Sequence, residues 1–125
     1  MLSRLARVAL GPIAFIAVAL STSASEAENL TFYVRSEHPD VISLEFYSEE
    51  RNHAWPGGNE VYVVDDMETR EYVLSCRRGE KVCLGAWVRG KSREYWGVGK
   101  NRKSTCRSCC FICDGGYTRT QVLNR

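Results

Sequence analysis

The chain has 125 residues, of which 44% are hydrophobic and 26% charged, and its net charge is +2. This composition is typical of a folded domain and argues against disorder. The chain is too short for a dinucleotide-binding domain joined to a substrate domain, or for an α/β barrel. Six cysteines, all after residue 75, are its most unusual feature. We therefore expect one small domain stabilised by its cysteines.

The first 25 residues have the order of a secretory signal. Arg4 and Arg7 precede an apolar stretch at 8–20, and a segment rich in small residues follows at 21–27. The apolar stretch is too short to span a bilayer. We expect a signal peptide over residues 1–25, cut between residues 24 and 28, and a single disulfide-rich β domain over residues 26–125. A mitochondrial transit peptide is the alternative, but such peptides are amphipathic rather than continuously apolar.

The remainder of the chain is predicted to be all-β. Leu30, Phe32 and Val34 alternate with more polar neighbours, and residues 42–47 repeat the pattern. The other predicted strands are 61–64, 72–76, 82–88, 95–98 and 117–123. Strands 72–76 and 82–88 are expected to form a hairpin around the turn at 77–81, and residues 51–59 a long loop. The spacing predicts a small antiparallel sandwich or barrel stabilised by disulfides.

The net charge of +2 conceals two oppositely charged halves. Residues 28–71 hold eleven acids and three bases, a net −8, whereas residues 72–125 hold twelve bases and three acids, a net +9. A basic half indicates a surface for an anionic partner, such as an envelope polymer, a nucleic acid or an acidic protein. The alternative is that the two halves intermix in one sheet and neutralise each other across neighbouring strands.

An even number of cysteines in a short exported chain is typical of a disulfide framework. The six are Cys76, Cys83, Cys106, Cys109, Cys110 and Cys113. The predicted hairpin favours a Cys76–Cys83 bridge with two further bridges inside residues 106–113. Bridges from that cluster to Cys76 and Cys83 are the alternative, and neighbouring Cys109 and Cys110 are not expected to bond to each other.

Two other uses of the cysteines compete with a framework. Four thiolates can hold zinc, but the motif C-x-x-C-C-x-x-C leaves no span between its two pairs. A C-x-x-C pair can also be redox-active when it opens a helix in a thioredoxin-like unit, and no such unit is predicted. We therefore predict no metal and no cofactor. No nucleophile-elbow, zinc-protease, phosphate-loop or calcium-loop motif is present, so no catalytic residue is predicted.

Aromatic residues among bases mark the candidate binding segment, since such segments bind anionic polymers by stacking and charge. Its candidate residues are Trp87, Arg89, Lys91, Arg93, Trp96, Lys100, Arg102 and Lys103. The alternative is that both tryptophans belong to the core and the bases form an exposed turn. His53 and Trp55, on the loop at 51–59, are a second candidate site.

Part of the sequence resembles a group of small exported cysteine-rich bacterial proteins of unknown function. The resemblance lies in residues 74–98, with the segments 76–83, 85–87 and 95–99, and in residues 106–116. It implies a periplasmic or secreted location, and it implies no activity, ligand or catalytic residue.

From these patterns we expect a non-enzymatic exported domain that binds an anionic envelope component or another protein, with nucleic acid disfavoured. A secreted hydrolase inhibitor that inserts the loop at 53–58 is the second hypothesis. A thiol–disulfide redox protein is the third.

Overall fold

The computed structural model describes residues 11–17 and 26–125, and within the second range it has nine strands and one short 3-10 helix. The strands are β1 (Ala27–Ser36), β2 (Ile42–Ser48), β3 (Ala54–Trp55), β4 (Tyr62–Val64), β5 (Thr69–Arg77), β6 (Lys81–Val88), β7 (Lys91–Gly97), β8 (Cys110–Ile112) and β9 (Gln121–Leu123). The 3-10 helix is Lys100–Arg102.

Most of the predicted signal peptide lies outside the described residues. Its described part, residues 11–17, is exposed and forms neither helix nor strand. In the described ranges, no helix has the length and apolar character that crossing a membrane requires.

The strands form two sheets, which confirms the all-β prediction. The first sheet has the order β5-β1-β9, and the second has the order β3-β2-β6-β7, with β4 pairing β2 and β8 pairing β6. All described pairings between named strands are antiparallel except β1 with β9, which is parallel. The parallel pair was not predicted, because nothing local in the sequence marks the direction of a partner strand.

The core lies between the inner faces of the two sheets. Leu30, Phe32 and Val34 of β1 are buried, as their alternation predicted, and the rings of Phe32 and Phe46 lie 4.5 Å apart across the interface. Burying a side chain of this size contributes about 1.5–3 kcal/mol. Strand β2 differs from the predicted half-buried strand, since Ser43 on its outer face is also buried. Other parts of the chain therefore cover the outer face of the second sheet.

The predicted hairpin of residues 72–76 and 82–88 is wrong. The turn forms, with the amide of Glu80 donating to the carbonyl of Arg77 over 2.9 Å, but β5 pairs with β1 and β6 pairs with β2. The chain therefore passes from one sheet to the other at this turn. A sequence pattern identifies two strands and the turn between them, but it does not identify the partner of each strand.

All six cysteines are bonded, as predicted, but the favoured set is wrong: Cys76–Cys83 does not form, and one bridge rather than two lies inside residues 106–113. The alternative, in which that cluster forms bridges to Cys76 and Cys83, is the arrangement observed. The bridges are Cys76–Cys113, Cys83–Cys110 and Cys106–Cys109. Because β5 and β6 lie in different sheets, Cys76 and Cys83 do not face each other across a ladder. Cys83 instead faces Cys110 of β8, with 4.0 Å between their Cα atoms. As expected, Cys109 and Cys110 do not bond to each other.

Candidate binding site

Glycines allow the segment after β7 to pack against the second sheet. At Gly97, where φ is 63°, an added Cβ would lie 2.0 Å from the carbonyl oxygen of Leu84. At Gly85, an added Cβ would lie 2.4 Å from the carbonyl oxygen of Gly99. Only glycine permits approaches this close. They hold residues 98–104 on the outer face of the sheet and fix the position of the bases that this segment carries.

Three of the predicted bases meet around one small cleft. Arg93 of β7 and Lys100 and Lys103 of the next segment line a cavity of about 190 Å³, together with the ring of Tyr95. We call Arg93, Tyr95, Lys100 and Lys103 the basic face. The hydroxyl-bearing Ser92 and Ser104 line the same cleft, and Tyr95 is 47% exposed.

The cations of the basic face have no carboxylate partner among the described residues. Residues 72–125 hold twelve bases. Among the described residues, only Arg78 of these twelve has a carboxylate within 4.0 Å, that of Glu26 at 3.3 Å. The two charged halves do intermix, since β1 pairs β5 and β2 pairs β6. Intermixing does not pair the charges, however, because almost all of the basic side chains extend into solvent.

The tryptophans of the predicted binding segment are not open stacking surfaces. Trp87 is 5% exposed, and the ammonium of Lys100 lies 6.0 Å from the centre of its ring. Trp96 is half-buried, and its indole N–H donates to the carbonyl of Asn124 over 3.1 Å. Tyr95, which was not predicted, is the aromatic residue of the basic face. Arg93 and Tyr95 are two residues apart on β7, so they lie on the same face of the strand, while the adjacent Trp96 lies on the other face. This period of two is the signal that could have identified Tyr95.

The other predicted bases lie apart from the basic face. Arg89 is exposed at the end of β6, and Lys91 lines a separate cleft with Arg93. Arg102 faces the other way and donates from Nη1 to the carbonyl of Ser48 over 2.7 Å. The structure therefore divides the predicted basic segment into a cluster and outlying residues.

A larger cleft of about 570 Å³ contains His53 and Arg102, together with Glu45 and Tyr47 of β2. Burial raises the pKa of Glu45, against the lowering effect of the Tyr47 hydroxyl and Lys100. Burial, with the neighbouring Glu45, raises the pKa of Tyr47 to about 12. Tyr47 therefore stays protonated at neutral pH and accepts a hydrogen bond from the amide of Asn101 over 3.2 Å.

The predicted loop at 51–59 is anchored by Trp55, which is 8% exposed. Its indole N–H donates to the carbonyl of Ser75 over 2.9 Å, and this bond joins the second sheet to the first. His53 is exposed, with its ring 4.5 Å from that of Trp55. Of the two candidates on this loop, Trp55 stabilises the fold through its hydrogen bond to Ser75. His53 lines the cleft of about 570 Å³ and also a second cleft of about 450 Å³ beside Trp55.

The sequence reasoning missed a buried carboxylate at the turn between β5 and β6. Glu80 is 2% exposed and accepts hydrogen bonds from the Ser48 hydroxyl at 2.6 Å, from the Arg77 amide at 3.0 Å and from two nitrogens of Arg51. Burial alone would raise its pKa, but these hydrogen bonds and the Arg51 charge outweigh burial and lower the pKa to about 2. We call Ser48, Arg51, Arg77 and Glu80 the Glu80 cluster.

A carboxylate also lies beside the second disulfide. Oε1 of Glu49 is 3.1 Å from Sγ of Cys83 and 3.8 Å from Sγ of Cys110. These three groups are close enough together to hold a metal ion. Metal binding at such a site needs thiolates, however, and both sulfurs are bonded to each other in this structure.

Comparisons with protein-family models, with curated proteins and with solved structures gave no match. The fold and the bridges therefore define the class: a small β-rich protein with three disulfides. Several disulfides in a chain of this size indicate an oxidising environment outside the cytoplasm.

Proposed function

We propose that this protein is an exported, non-enzymatic binding domain that holds an anionic polymer of the cell envelope on its basic face. One observation carries the proposal: Arg93, Lys100 and Lys103 converge on one cleft and have no carboxylate within 4.0 Å among the described residues. Clustered like charges repel one another, and a bound polyanion relieves the repulsion.

The chemistry of the cleft favours a phosphate or sulfate group on a sugar-containing chain. Two ammonium groups and a guanidinium supply charge-assisted hydrogen bonds, and the hydroxyls of Ser92 and Ser104 supply neutral donors. The exposed ring of Tyr95 offers an apolar surface for a sugar. Lys91, which lines the neighbouring cleft with Arg93, extends the positive charge past the basic face, and this suits a polymer better than a small ion.

The proposed location is the periplasm or the medium. Three disulfides support an oxidising compartment, and the resemblance to small exported cysteine-rich bacterial proteins favours these two locations. The secretory signal predicted over residues 1–25 agrees with this proposal.

The test is a triple charge reversal with a matched control. Arg93→Glu/Lys100→Glu/Lys103→Glu removes the basic face. Lys81→Glu/Arg119→Glu/Arg125→Glu makes the same change in net charge at exposed bases elsewhere. We expect titrations with teichoic acid and with lipopolysaccharide to show at least about a tenfold loss of affinity for the first variant and about twofold for the second. Equal losses in the two variants would show that net charge alone binds the polymer, which would overturn the basic face as the site. Failure of the unmodified protein to bind either polymer would overturn the proposal as a whole.

The hydrolase-inhibitor hypothesis has one observation in its favour. The loop at 51–59 is held in place by the Trp55–Ser75 hydrogen bond, and a pre-organised loop is what insertion into an active site requires. Its exposed end is Pro56 and Gly58, since Trp55 itself is buried. Under this hypothesis, Pro56→Ala/Gly58→Ala would weaken inhibition of a lysozyme or protease while the basic-face variant would inhibit normally.

A further inference from the structure

Two of the three disulfides lie side by side. The Cys106–Cys109 bridge lies beside the Cys83–Cys110 bridge, and Sγ of Cys109 is 3.9 Å from Sγ of Cys110. A thiolate at Cys109 would therefore lie close to a second disulfide. The Cys76–Cys113 bridge is buried, with its two residues 3% and 0% exposed.

Exposure alone does not separate the first two bridges. Cys106 and Cys110 are both partly buried, whereas their partners Cys109 and Cys83 are 6% and 1% exposed. An attacking thiolate can therefore reach one sulfur of each bridge.

The position of one carboxylate does separate them. Cys106 and Cys83 line one cleft of about 440 Å³ together with Glu49, Arg102 and Lys103, and Arg107 follows Cys106 in the chain. Positive charge attracts a thiolate and stabilises the thiolate that leaves. The Cys83–Cys110 bridge has the carboxylate of Glu49 within 3.8 Å of both sulfurs, which repels an incoming thiolate and disfavours a departing one.

We infer that Cys106–Cys109 is a thiol-exchange site for anionic low-molecular-weight thiols of the glutathione class, and that Glu49 protects Cys83–Cys110 from the same reaction. The inference is independent of the proposed polymer binding. The thiolate RS⁻ attacks Sγ of Cys106, the S–S bond breaks, and Cys109 leaves as a thiolate. A second RS⁻ then attacks the sulfur of R and releases Cys106. One protein disulfide is reduced to two thiols while two RSH are oxidised to RSSR.

Glu49 also controls whether exchange extends to the Cys83–Cys110 bridge. A thiolate RS⁻ that attacks Sγ of Cys110 forms a mixed disulfide there and releases Cys83 as a thiolate. The leaving thiolate would stand 3.1 Å from the carboxylate of Glu49, which slows this step. Removing that carboxylate should open the Cys83–Cys110 bridge.

The experiment follows each cysteine by native reduction and alkylation. The folded protein is treated with limiting glutathione near neutral pH, alkylated at intervals and digested with trypsin. The expected peptides separate the sites, since Cys76 lies in 71–77, Cys83 in 82–89, Cys106 in 104–107, and Cys109, Cys110 and Cys113 in 108–119. We expect Cys106 to be alkylated at least about tenfold faster than Cys76 and Cys83. Alkylation of Cys76 or Cys83 at the same rate would overturn the exchange site.

Glu49→Gln tests the protection, and Glu50→Gln is its matched control because Glu50 is the next carboxylate in the chain and is exposed. We expect Glu49→Gln to speed alkylation of Cys83 roughly threefold to tenfold, with Cys76 unchanged. We expect Glu50→Gln to behave as the unmodified protein. Equal Cys83 rates in the two variants would overturn the role of Glu49.

Discussion

The Glu80 cluster and the basic face hold charged side chains in opposite surroundings. In the Glu80 cluster, a carboxylate that is 2% exposed has a donor for each of its oxygens. In the basic face, three exposed cations share a cleft with no carboxylate within 4.0 Å among the described residues. Charges satisfied inside the protein stabilise the fold, whereas charges left without an internal partner are available to a ligand.

The Glu80 cluster lies beside the Cys76–Cys113 bridge, which joins β5 of the first sheet to the residue that follows β8 of the second. The amide of Cys113 donates to the carbonyl of Glu80 over 2.8 Å, and the amide of Gly79 donates to the carbonyl of Cys113 over 2.7 Å. Cys113 is bonded to Cys76 of β5. The turn, the ion pair and the disulfide therefore stabilise the same crossing between sheets.

The largest expected effect is that of removing the buried carboxylate. Glu80→Ala leaves the Arg51 guanidinium, the Ser48 hydroxyl and the Arg77 amide without their acceptor, and we expect a loss of about 3–5 kcal/mol in the free energy of unfolding. Denaturant titration measures it. Glu71→Ala, at an exposed acid with no ion pair among the described residues, is the control and should change stability by less than about 0.5 kcal/mol. Equal effects in the two variants would contradict a structural role for Glu80.

Removing the bridge beside this cluster should have an effect of similar size. Cys76→Ser/Cys113→Ser opens a loop with a sequence separation of 37, and the chain-entropy estimate is about 4 kcal/mol. Cys106→Ser/Cys109→Ser opens a loop with a separation of only 3, for which the same estimate is about 2 kcal/mol. The comparison of their unfolding free energies under non-reducing conditions checks this order. A larger loss for the short loop would contradict it.

The pH dependence of stability should report Glu80 as well. Its pKa in the folded protein is about 2, below the usual 4.5, so the unfolded chain binds the proton more tightly. The stabilisation is therefore complete above about pH 4.5 and is lost as pH falls toward 2, with an expected total of about 3 kcal/mol. Melting temperatures of the unmodified protein and of Glu80→Gln should converge over this range. Parallel curves would contradict the assignment.

The local patterns of the sequence predicted the elements better than their partners. The alternation of Leu30, Phe32 and Val34 was enough to identify β1 and its inner face. The partner of β5 depends on where the whole chain closes, so the hairpin and the Cys76–Cys83 bridge were wrong for one shared reason. Strand β8 was missed because its three residues lie inside a cysteine-rich segment without alternation.

The candidate site was predicted in part. Arg93, Lys100 and Lys103 were all in the predicted binding segment, but only the fold of residues 98–104 shows that they meet. Glu80 was missed because an acid beside Arg77 and Arg78 has the composition of an exposed turn. Its burial follows from Arg51, which is distant in sequence and reaches it only in the folded chain.

The basic face is proposed to bind a polymer without stabilising the fold, and one variant tests both properties. Arg93→Glu/Lys100→Glu/Lys103→Glu should leave the free energy of unfolding within about 1 kcal/mol of the unmodified protein. In the same preparation, its affinity for teichoic acid or lipopolysaccharide should fall at least about tenfold. A variant that unfolds much more easily while it still binds the polymer would contradict the account.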